Sequence, residues 1–404
     1  MKNHFLYISV LFLLVLSTEI YSQKIERNPL GYESILSGTF GELRSNHFHS
    51  GLDIKTKGKE GAKVYTFTNG YVSRIKISNG GYGKAIYIKH PDGRTTVYAH
   101  LQKFSAKIEA IVNEIQYRRE KYEIEFFPAK NEINISTDEV IAFSGNTGGS
   151  SGPHLHFEIR DSSQRPLNPL NYGVKVKDTK KPTIIGLKRY NLLKNGEIQS
   201  SRNIPFYKNT NNGYITDTIF AMDNIGFGVQ TFDQQDLAKN KNGVYKINTF
   251  IDNDTVLEVN FNKFSFEETK HINRYLDFSE FKKTKKKFQK LFIQNNNPLS
   301  IFTKQLNKGI VHVKENKIYT YRVELFDFNN NLTEIIIPIK ADLSKVIIKE
   351  KDDVKIVGLD KQFINRNKKY ILSGNNSSIS IDKKTFYSNV FLEINSKIDT
   401  LNIN

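Results

Sequence analysis

Residues 145–158 read GNTGGSSGPHLHFE, a glycine-rich run followed by a short alternation of polar and apolar side chains. Such an alternation is typical of a β-strand. Because residues two apart in a strand point to the same face, we expect His154 and His156 to reach one cavity while Leu155 and Phe157 enter the core. A histidine pair separated by one apolar residue therefore predicts a metal site.

The glycine-rich half of this stretch, residues 145–152, invites comparison with a phosphate-binding loop. A phosphate loop of that type ends in Lys-Ser or Lys-Thr, whereas this run leads into Gly-Pro-His. We interpret it as a loop that shapes a groove.

Two more short motifs carry histidine. Residues 49–53 read His-Ser-Gly-Leu-Asp and residues 98–101 read Tyr-Ala-His-Leu, in a chain with only nine histidines in 404 residues. A catalytic zinc commonly takes three ligands from His and Asp or Glu and keeps one position open. The chain has no cysteine, which excludes thiolate ligands, a disulfide framework and a cysteine nucleophile. The helical His-Glu-x-x-His motif of other zinc peptidases is also absent.

The region around these motifs, residues 31–159, is predicted to be an antiparallel β domain. Glycine-containing turns separate β-like runs at residues 64–67, 71–77, 84–89, 95–100, 122–127 and 140–143. One segment departs from this pattern, because its apolar residues recur at helical spacing and predict an amphipathic helix. Those residues are Phe104, Ile108, Ile111, Val112 and Ile115.

Together the three motifs resemble those of the lysostaphin and LytM family of zinc metallopeptidases. The family pattern is His-x-Gly-x-Asp, then Tyr-x-His-Leu, then a glycine-rich run ending in Gly-Pro-His-Leu-His-Phe-Glu. Residues 31 to about 175 supply all three in order. The resemblance implies an antiparallel β-sheet peptidase domain, one zinc ion (Zn2+) per chain, and hydrolysis of peptide cross-links in bacterial peptidoglycan, with D,D-endopeptidase action expected.

Carried over by position, the resemblance makes His49, Asp53 and His156 the zinc ligands. It makes His100 and His154 the catalytic pair that does not bind the metal. Zinc lowers the pKa of water and polarises a carbonyl. Two imidazoles beside it can orient the water, stabilise the oxyanion and pass the proton to the leaving amine.

Two further histidines, His47 and His90, lie near these motifs. His47 competes with His49 as a ligand because both are expected on the same strand face, but only His49 has the family spacing to Asp53. His90, next to a Pro-Asp-Gly turn, is interpreted as a surface or satisfied core residue.

Two functions other than hydrolysis remain open at this stage. Some members of the family have lost ligands and activate other wall hydrolases, so a catalytically silent envelope protein is the main alternative. The completeness of the site favours the enzyme. In a third interpretation the chain is an exported adhesin or binding module, and its β-sandwich half carries the whole activity.

The chain is long enough for two or three domains. We predict a signal peptide at residues 1–22, the peptidase domain at 23–177, and a helical insertion at about 102–138 that either gates the groove or is structural. A polar linker at 178–182 leads to an immunoglobulin-like β-sandwich at 183–344, with strands at 214–221, 243–251, 255–261, 317–326 and 333–339. Residues 223–229 are interpreted as an accessory-domain turn, and 345–404 as a further β-rich segment and incomplete domain.

The N-terminus predicts export. Lys2 precedes an apolar run at residues 5–16, with a small residue, Ser22, for cleavage. The alternative is an uncleaved membrane anchor, but the run is shorter than the ~20 residues that span a bilayer. We expect a periplasmic or extracellular protein whose mature chain has no transmembrane segment.

The net charge of +17 favours anionic surroundings, and for an exported protein the natural partner is peptidoglycan. An envelope regulatory protein is a second expected partner. The lysine-rich run at residues 282–287 is interpreted as a solvated surface far from the histidine motifs, and charge alone predicts no nucleic-acid binding.

Overall fold

The computed structural model describes residues 27–210, 213–314, 317–341, 361–373, 378–386 and 390–393. The predicted signal peptide lies outside the described residues. Among the residues that are described, no helix is both long and apolar enough to cross a membrane.

Residues 27–173 contain twelve strands, one α-helix and a 3₁₀ turn at Pro169–Tyr172. The helix, α1, spans Ala106–Arg119. The strands are β1 (Leu36–Gly38), β2 (Leu52–Lys55), β3 (Lys63–Tyr65), β4 (Gly70–Ile77), β5 (Lys84–Lys89), β6 (Thr95–Ala99), β7 (Leu101–Phe104), β8 (Ile124–Phe126), β9 (Asn134–Ile135), β10 (Val140–Ser144), β11 (His154–Arg160) and β12 (Pro166–Leu167).

These strands form two antiparallel sheets. The larger follows the order β1-β2-β11-β6-β5-β4-β8, with β12 on β11 and β9 on β4, and the smaller follows β3-β10-β7. Leu155 and Phe157 of β11 are fully buried in the main core, as the alternation predicted. Since His156 and Glu158 point to the other face, the sheet separates a hydrophobic side from a polar side.

The predicted amphipathic helix is confirmed over Ala106–Arg119, but Phe104, predicted to begin its stripe, is the last residue of strand β7. Ile108, Val112 and Ile115 of α1 are buried and belong to the same core as Phe157. After the helix, β8 pairs with β4 at the edge of the sheet opposite β1 and β2. The insertion thus lengthens the sheet and adds apolar side chains to the hydrophobic core.

The second part of the chain is also rich in strands. They are β13 (Thr183–Leu192), β14 (Ile198–Asn203), β15 (Tyr207–Lys208), β16 (Tyr214–Ile215), β17 (Ile219–Ala221), β18 (Asp223–Phe232), β19 (Lys246–Ile251), β20 (Asp254–Asn260), β21 (Gln289–Lys290), β22 (Phe302–Gln305), β23 (Val311–Val313), β24 (Ile318–Phe326) and β25 (Leu332–Ala341). Two short helices, α2 (Ile272–Tyr275) and α3 (Phe278–Thr284), and two 3₁₀ turns, Thr269–His271 and Asn307–Gly309, interrupt them.

One sheet of this part follows β14-β13-β18-β21, with β23 on β18, and the other follows β15-β16-β25-β24-β19-β20-β22, with β17 on β25. All pairings are antiparallel except those of β16 and β17 with β25. The predicted mainly β, antiparallel fold class is confirmed. The immunoglobulin-like assignment and the domain boundaries stay predictions.

Three sequence predictions in this part were wrong. The supposed turn at residues 223–229 is strand β18, which pairs along its length with β13. Its glycines misled the prediction: a Cβ on Gly226 would lie 2.4 Å from Phe292, so the residue allows a close approach within a strand. The strand predicted at 214–221 is broken into β16 and β17, and the weak helical signal hid α2 and α3.

The two parts of the chain contact each other closely. The backbone N–H of Leu36 donates to Oε1 of Gln235 over 2.9 Å, and that of Phe48 donates to Oγ1 of Thr269 over 2.7 Å. One hydrophobic core contains residues of both parts. The connecting segment, residues 174–182, contains the predicted linker at 178–182; it has no helix or strand, and it hydrogen-bonds to the second part of the chain.

The described residues beyond 360 form two antiparallel strand pairs. Strand β26 (Lys361–Ile364) pairs with β29 (Val390–Glu393), and β27 (Tyr370–Ser373) pairs with β28 (Ser378–Ile381). Within the described residues, this segment is β-rich, as expected.

Candidate metal centre

Two neighbouring strands bring the candidate ligands together. In the antiparallel pair β2 and β11, Asp53 lies directly opposite His156. Directly opposed side chains project from the same face of a sheet. His49 joins them from the loop that precedes β2, where its backbone N–H donates to the Glu42 carbonyl over 2.9 Å.

The three candidate ligand atoms form a compact triangle. Nε2 of His49 lies 3.1 Å from Nδ1 of His156 and 3.0 Å from Oδ1 of Asp53, and the latter two atoms are 2.9 Å apart. Ligands held tetrahedrally at ~2.0–2.1 Å from a zinc ion are about 3.3–3.4 Å apart, so a small outward relaxation admits the ion. The donor set of two imidazoles and one carboxylate fits a metal of this type.

Each of these three side chains has a further partner that orients it. Nδ1 of His49 donates to the Thr39 carbonyl over 2.8 Å. Nε2 of His156 lies 2.9 Å from Oε1 of Glu158. Nη2 of Arg44 donates to Oδ2 of Asp53 over 2.9 Å. Such partners fix the ring orientation and leave one nitrogen of each imidazole free for a metal.

Glu158 is the centre of a buried polar network beneath the site. It is fully buried and accepts hydrogen bonds from Ser50 (2.6 Å), from the Tyr82 hydroxyl, and from Nε of Arg160 (2.6 Å). Burial works against ionisation, but Arg160 and His156 outweigh it and hold the pKa of Glu158 well below its usual range. The carboxylate is therefore charged and available to His156.

The pKa values of two ligands follow from the same contacts. Burial opposes charge on His156, but hydrogen bonds with Asp53 and Glu158 overcome it and raise its pKa to about 9. Burial likewise opposes charge on Asp53, yet the neighbouring histidines hold its pKa well below the usual range. Because a metal needs the neutral imidazole, metal binding here competes with a proton.

The other two predicted site residues lie beside this triangle. The rings of His100 and His154 are 4.8 Å apart between centroids, and that of His100 lies 5.8 Å from His156. Nδ1 of His100 donates to the Thr147 carbonyl and Nδ1 of His154 to that of Gly152, each over 2.8 Å. With Nδ1 occupied as a donor, Nε2 of each ring is the atom left to accept a proton.

His100 is held neutral. Burial, together with the neighbouring charge on His156, lowers its pKa to about 4. His100 also has a left-handed backbone conformation (φ 57°) immediately after β6. This sharp end to the strand turns its ring towards the glycine-rich loop.

The glycine-rich loop is held in place by a close backbone contact. A Cβ on Gly148, whose φ is +73°, would lie 2.3 Å from the backbone nitrogen of Gly83, and a Cβ on Gly83 would meet Thr147 at 2.4 Å. Only glycines tolerate this approach. The contact positions Thr147, whose carbonyl holds His100, so the loop shapes the site as predicted.

Of the predictions for the two other histidines, one is confirmed and one is wrong. His90 is a satisfied core residue, as expected, because its Nδ1 contacts the Asn69 carbonyl and its Nε2 contacts Thr96, each at 2.8 Å. His47 was expected on the same strand face as His49, which was wrong: it is exposed in a loop, and its Nδ1 contacts the local carbonyl of Ser45. It lies outside the ligand triangle.

The placement of the lysine-rich run was partly wrong. Most of its residues are exposed, but Lys287 is half-buried and donates to the Leu43 carbonyl, in the loop that leads to His49. Burial lowers the pKa of Lys287. The run is therefore not remote from the site.

Sequence reasoning missed the residues that support the ligands. Glu158 is the last residue of the glycine-rich motif and had no predicted role, although it lies two residues after His156 and therefore on the same strand face. Arg44 and Thr39 had no signal in the sequence, because only the fold brings them to the site.

Part of the chain matches the sequence profile of a known peptidase family. The profile of peptidase family M23 matches residues 47–117, a range that contains three of the five predicted site residues. The DD-carboxypeptidase/endopeptidase Mpg of Neisseria meningitidis serogroup B is 34% identical over 151 residues, which is 36% of this chain and 28% of that protein. The chain thus spans just over a quarter of the length of this relative.

A second relative is covered almost completely. Lipoprotein NlpD of Yersinia enterocolitica is 32% identical over 115 residues, which is 28% of this chain and 93% of that protein. Among solved structures, the catalytic domain of lysostaphin from Staphylococcus simulans aligns with a TM-score of 0.26 and 21% identity, over 34% of this chain and 91% of that chain.

An antiparallel β domain whose candidate metal centre of two histidines and one aspartate lies on one face of its sheet is typical of a class of peptidase domains. The profile match and the relatives identify that class: the chain belongs to peptidase family M23.

Proposed function

We propose that the chain is an exported, zinc-dependent endopeptidase that hydrolyses peptide cross-links in bacterial peptidoglycan. The observation that carries this proposal is the ligand triangle, in which each member has its own orienting partner. A silent relative of an enzyme has no need to keep all of these groups. The printed name of the Neisseria relative, a carboxypeptidase and endopeptidase, supports the reaction class.

In this proposal His49, Asp53 and His156 hold one zinc ion. When bound, zinc lowers the pKa of water and polarises a carbonyl. His156 binds through Nδ1 while its Nε2 stays on Glu158, and His49 binds through Nε2 while its Nδ1 stays on the Thr39 carbonyl.

His100 and His154 carry out the proton transfers. Their Nδ1 atoms are engaged with carbonyls, so Nε2 of one ring accepts a proton from the attacking water. The same ring then gives that proton to the leaving amine, either directly or by way of the neighbouring ring, whose centroid is 4.8 Å away. An imidazolium in this position also stabilises the tetrahedral oxyanion. No carboxylate base is needed.

The proposed substrate is the D,D-cross-link of peptidoglycan, and the proposed location is the periplasm or the cell exterior. The positive net charge of +17 supports an anionic polymer as substrate. Envelope regulatory proteins are proposed as further partners.

The test uses purified sacculi and mass spectrometry of the released muropeptides. The zinc-loaded chain is expected to convert cross-linked muropeptides into monomers. His49→Ala is expected to lose both bound zinc and hydrolysis. His47→Ala is the matched control, because it removes an exposed histidine two residues away, and it should retain both. If the zinc-loaded wild type releases no product, the chain is a silent envelope protein instead.

A further inference from the structure

A second group of candidate ligands lies away from the metal centre, where residues 174–182 meet the second part of the chain. Asp178 belongs to that connecting segment, Asp233 follows β18, and Asp327 follows β24. One carboxylate oxygen from each lies within 4.8 Å of those of the other two. We call these three residues the junction cluster.

The junction cluster is largely withdrawn from water. Asp233 and Asp327 are only 5% and 2% exposed. Oδ1 of Asp233 has no contact with solvent and no hydrogen-bond partner among the described residues. A buried carboxylate oxygen without a partner is strongly unfavourable. This unpartnered atom is the observation, beyond the acidic character of the cluster, that points to a ligand.

Nearby donors offset the negative charge only in part. Asn331 donates its backbone N–H and its side-chain amide to Asp327, over 2.8 and 2.6 Å, and the backbone N–H of Lys180 donates to Asp178 over 3.0 Å. The Lys180 ammonium is directed to the Gln235 carbonyl, 3.0 Å away. Burial and the neighbouring carboxylates raise the pKa of Asp233 to about 8 and that of Asp178 to about 6.

There is also room at this place. A cavity of about 30 Å³ beside the cluster is lined by Asp178 and Asp233, but not by Asp327, together with polar side chains such as Asn168, Gln235 and Asn329 and apolar ones such as Phe40, Leu170 and Phe328. That volume has room for about two waters, or for one ion without a full hydration shell, since one water requires ~10–15 Å³. The lining comes from the peptidase part, the connecting segment and the second part of the chain.

We propose that the junction cluster binds one calcium ion. Its ligands are all oxygens, which favours a hard cation over zinc. Calcium accepts six to eight oxygens in irregular geometry, so carboxylates from three separate segments, completed by water, suit it better than magnesium, which demands a near-octahedral shell. The ion would neutralise two of the three charges and join the connecting segment to the ends of β18 and β24.

Binding has a mechanical consequence. The connecting segment is the covalent link between the peptidase part and the strands of the second part, and calcium ties it to that second part. The proposal does not depend on peptidase activity, so its test does not measure activity.

The test is calcium titration of the full, zinc-loaded chain after removal of free calcium on a chelating resin. Calorimetry should report one calcium per chain with a Kd on the order of 10⁻⁴ M. At 10 mM calcium the thermal midpoint should rise by several degrees, and by less with magnesium. Zinc per chain is measured in every sample, so that displacement at the other site is detected.

Asp233→Asn should remove both the calcium binding and the thermal shift. Asp217→Asn, an exposed aspartate of the same part of the chain, is the matched control and should keep both. Asp178→Asn, in the half-exposed connecting segment, gives the same readout if Asp233→Asn does not fold. The proposal is wrong if wild type does not bind calcium, or if Asp233→Asn and Asp178→Asn bind it like wild type. In that case the charge of the cluster is neutralised by protonation of its carboxylates and by the Lys180 ammonium.

Discussion

Among single residues, the two groups of histidines are separated by their contacts. His49 and His156 each place one nitrogen against Asp53, at 3.0 and 2.9 Å, whereas Nε2 of His154 is 3.5 Å from the same carboxylate. His154 is thus the nearest competitor for the role of ligand. The distances favour His156, in agreement with the position in the family motif.

The first prediction tests this separation. His100→Ala and His154→Ala should each lower turnover by at least ~100-fold, because a proton-transfer or oxyanion-stabilising group is lost. Zinc per chain, measured by atomic emission on the purified variants, should remain near one. Loss of zinc from His154→Ala would show that the wrong member of the pair has been assigned to the metal.

The second prediction concerns a buried lysine away from the site. The Lys290 ammonium donates to Oε1 of Gln294, and burial, together with the charge of Arg274, lowers its pKa to about 7. In the unfolded chain the pKa is ~10.4. The folded state therefore disfavours the charged form, and this penalty is complete below about pH 7 and disappears as the pH rises to ~10.4.

Lys290→Met removes the penalty and should change how stability depends on pH. The stability gained by the variant over wild type, measured as free energy of unfolding, should shrink by on the order of 3–4 kcal/mol between pH 7 and pH 10. Urea unfolding at several pH values measures the difference. Lys286→Met, an exposed neighbour, should show no such trend, and a pH-independent difference for Lys290→Met would contradict the assignment.

Among the elements, helix α1 shows most directly how an insertion is accommodated. Its apolar stripe lies in the core that contains Leu155 and Phe157, while the candidate ligands point to the other face of the same sheet. A helix whose apolar side chains belong to the hydrophobic core acts as structure. These contacts favour the structural alternative over the gating one.

The third prediction follows from that packing. Ile108→Ala should lower the free energy of unfolding by about 2–5 kcal/mol, because the side chain is fully buried. Tyr117→Ala, on the exposed side of α1 at 84% exposure, should change it little. Hydrolysis of sacculi relative to soluble muropeptides should be unchanged in folded Ile108→Ala. A change in that ratio would revive the gating hypothesis.

At the scale of the whole molecule, the second part of the chain supports the loop that carries His49. Phe264 stacks on Phe40 at 4.9 Å and contacts Phe48 at 5.4 Å, between ring centroids. Phe40 follows Thr39, the partner of His49, and Phe48 precedes His49 itself. A metal ligand is therefore held by packing between two parts of the chain.

The fourth prediction tests this support. Phe264→Ala should lower stability by about 3–5 kcal/mol and weaken zinc binding by about tenfold, because the orientation of His49 is less constrained. Competition with a chromogenic chelator measures the affinity. Ile318→Ala, which truncates a side chain that is 68% exposed, serves as the control. Equal zinc affinity in wild type and a folded Phe264→Ala would show that the two parts are not coupled.

The local features of this protein were predictable because they depend on spacing along the chain. The alternation from His154 to Glu158 determined which side chains enter the core, and the repeat in α1 determined its buried stripe, since the 2.0 and 3.6 periods are properties of the backbone. The family motifs likewise identified the residues that the fold brings together. Strand β18 was missed because its glycines mimic a turn, and only the approach of Phe292 explains them.

Only the tertiary structure decided the contacts between residues that are far apart in the sequence. Arg44 and Thr39 support the metal ligands from a loop whose path depends on Phe264, more than 200 residues further on. The junction cluster joins three segments that have no common motif. Side chains so far apart meet only after the strands have paired and the core has closed, and no local pattern encodes that meeting because the hydrophobic burial that drives it is non-directional.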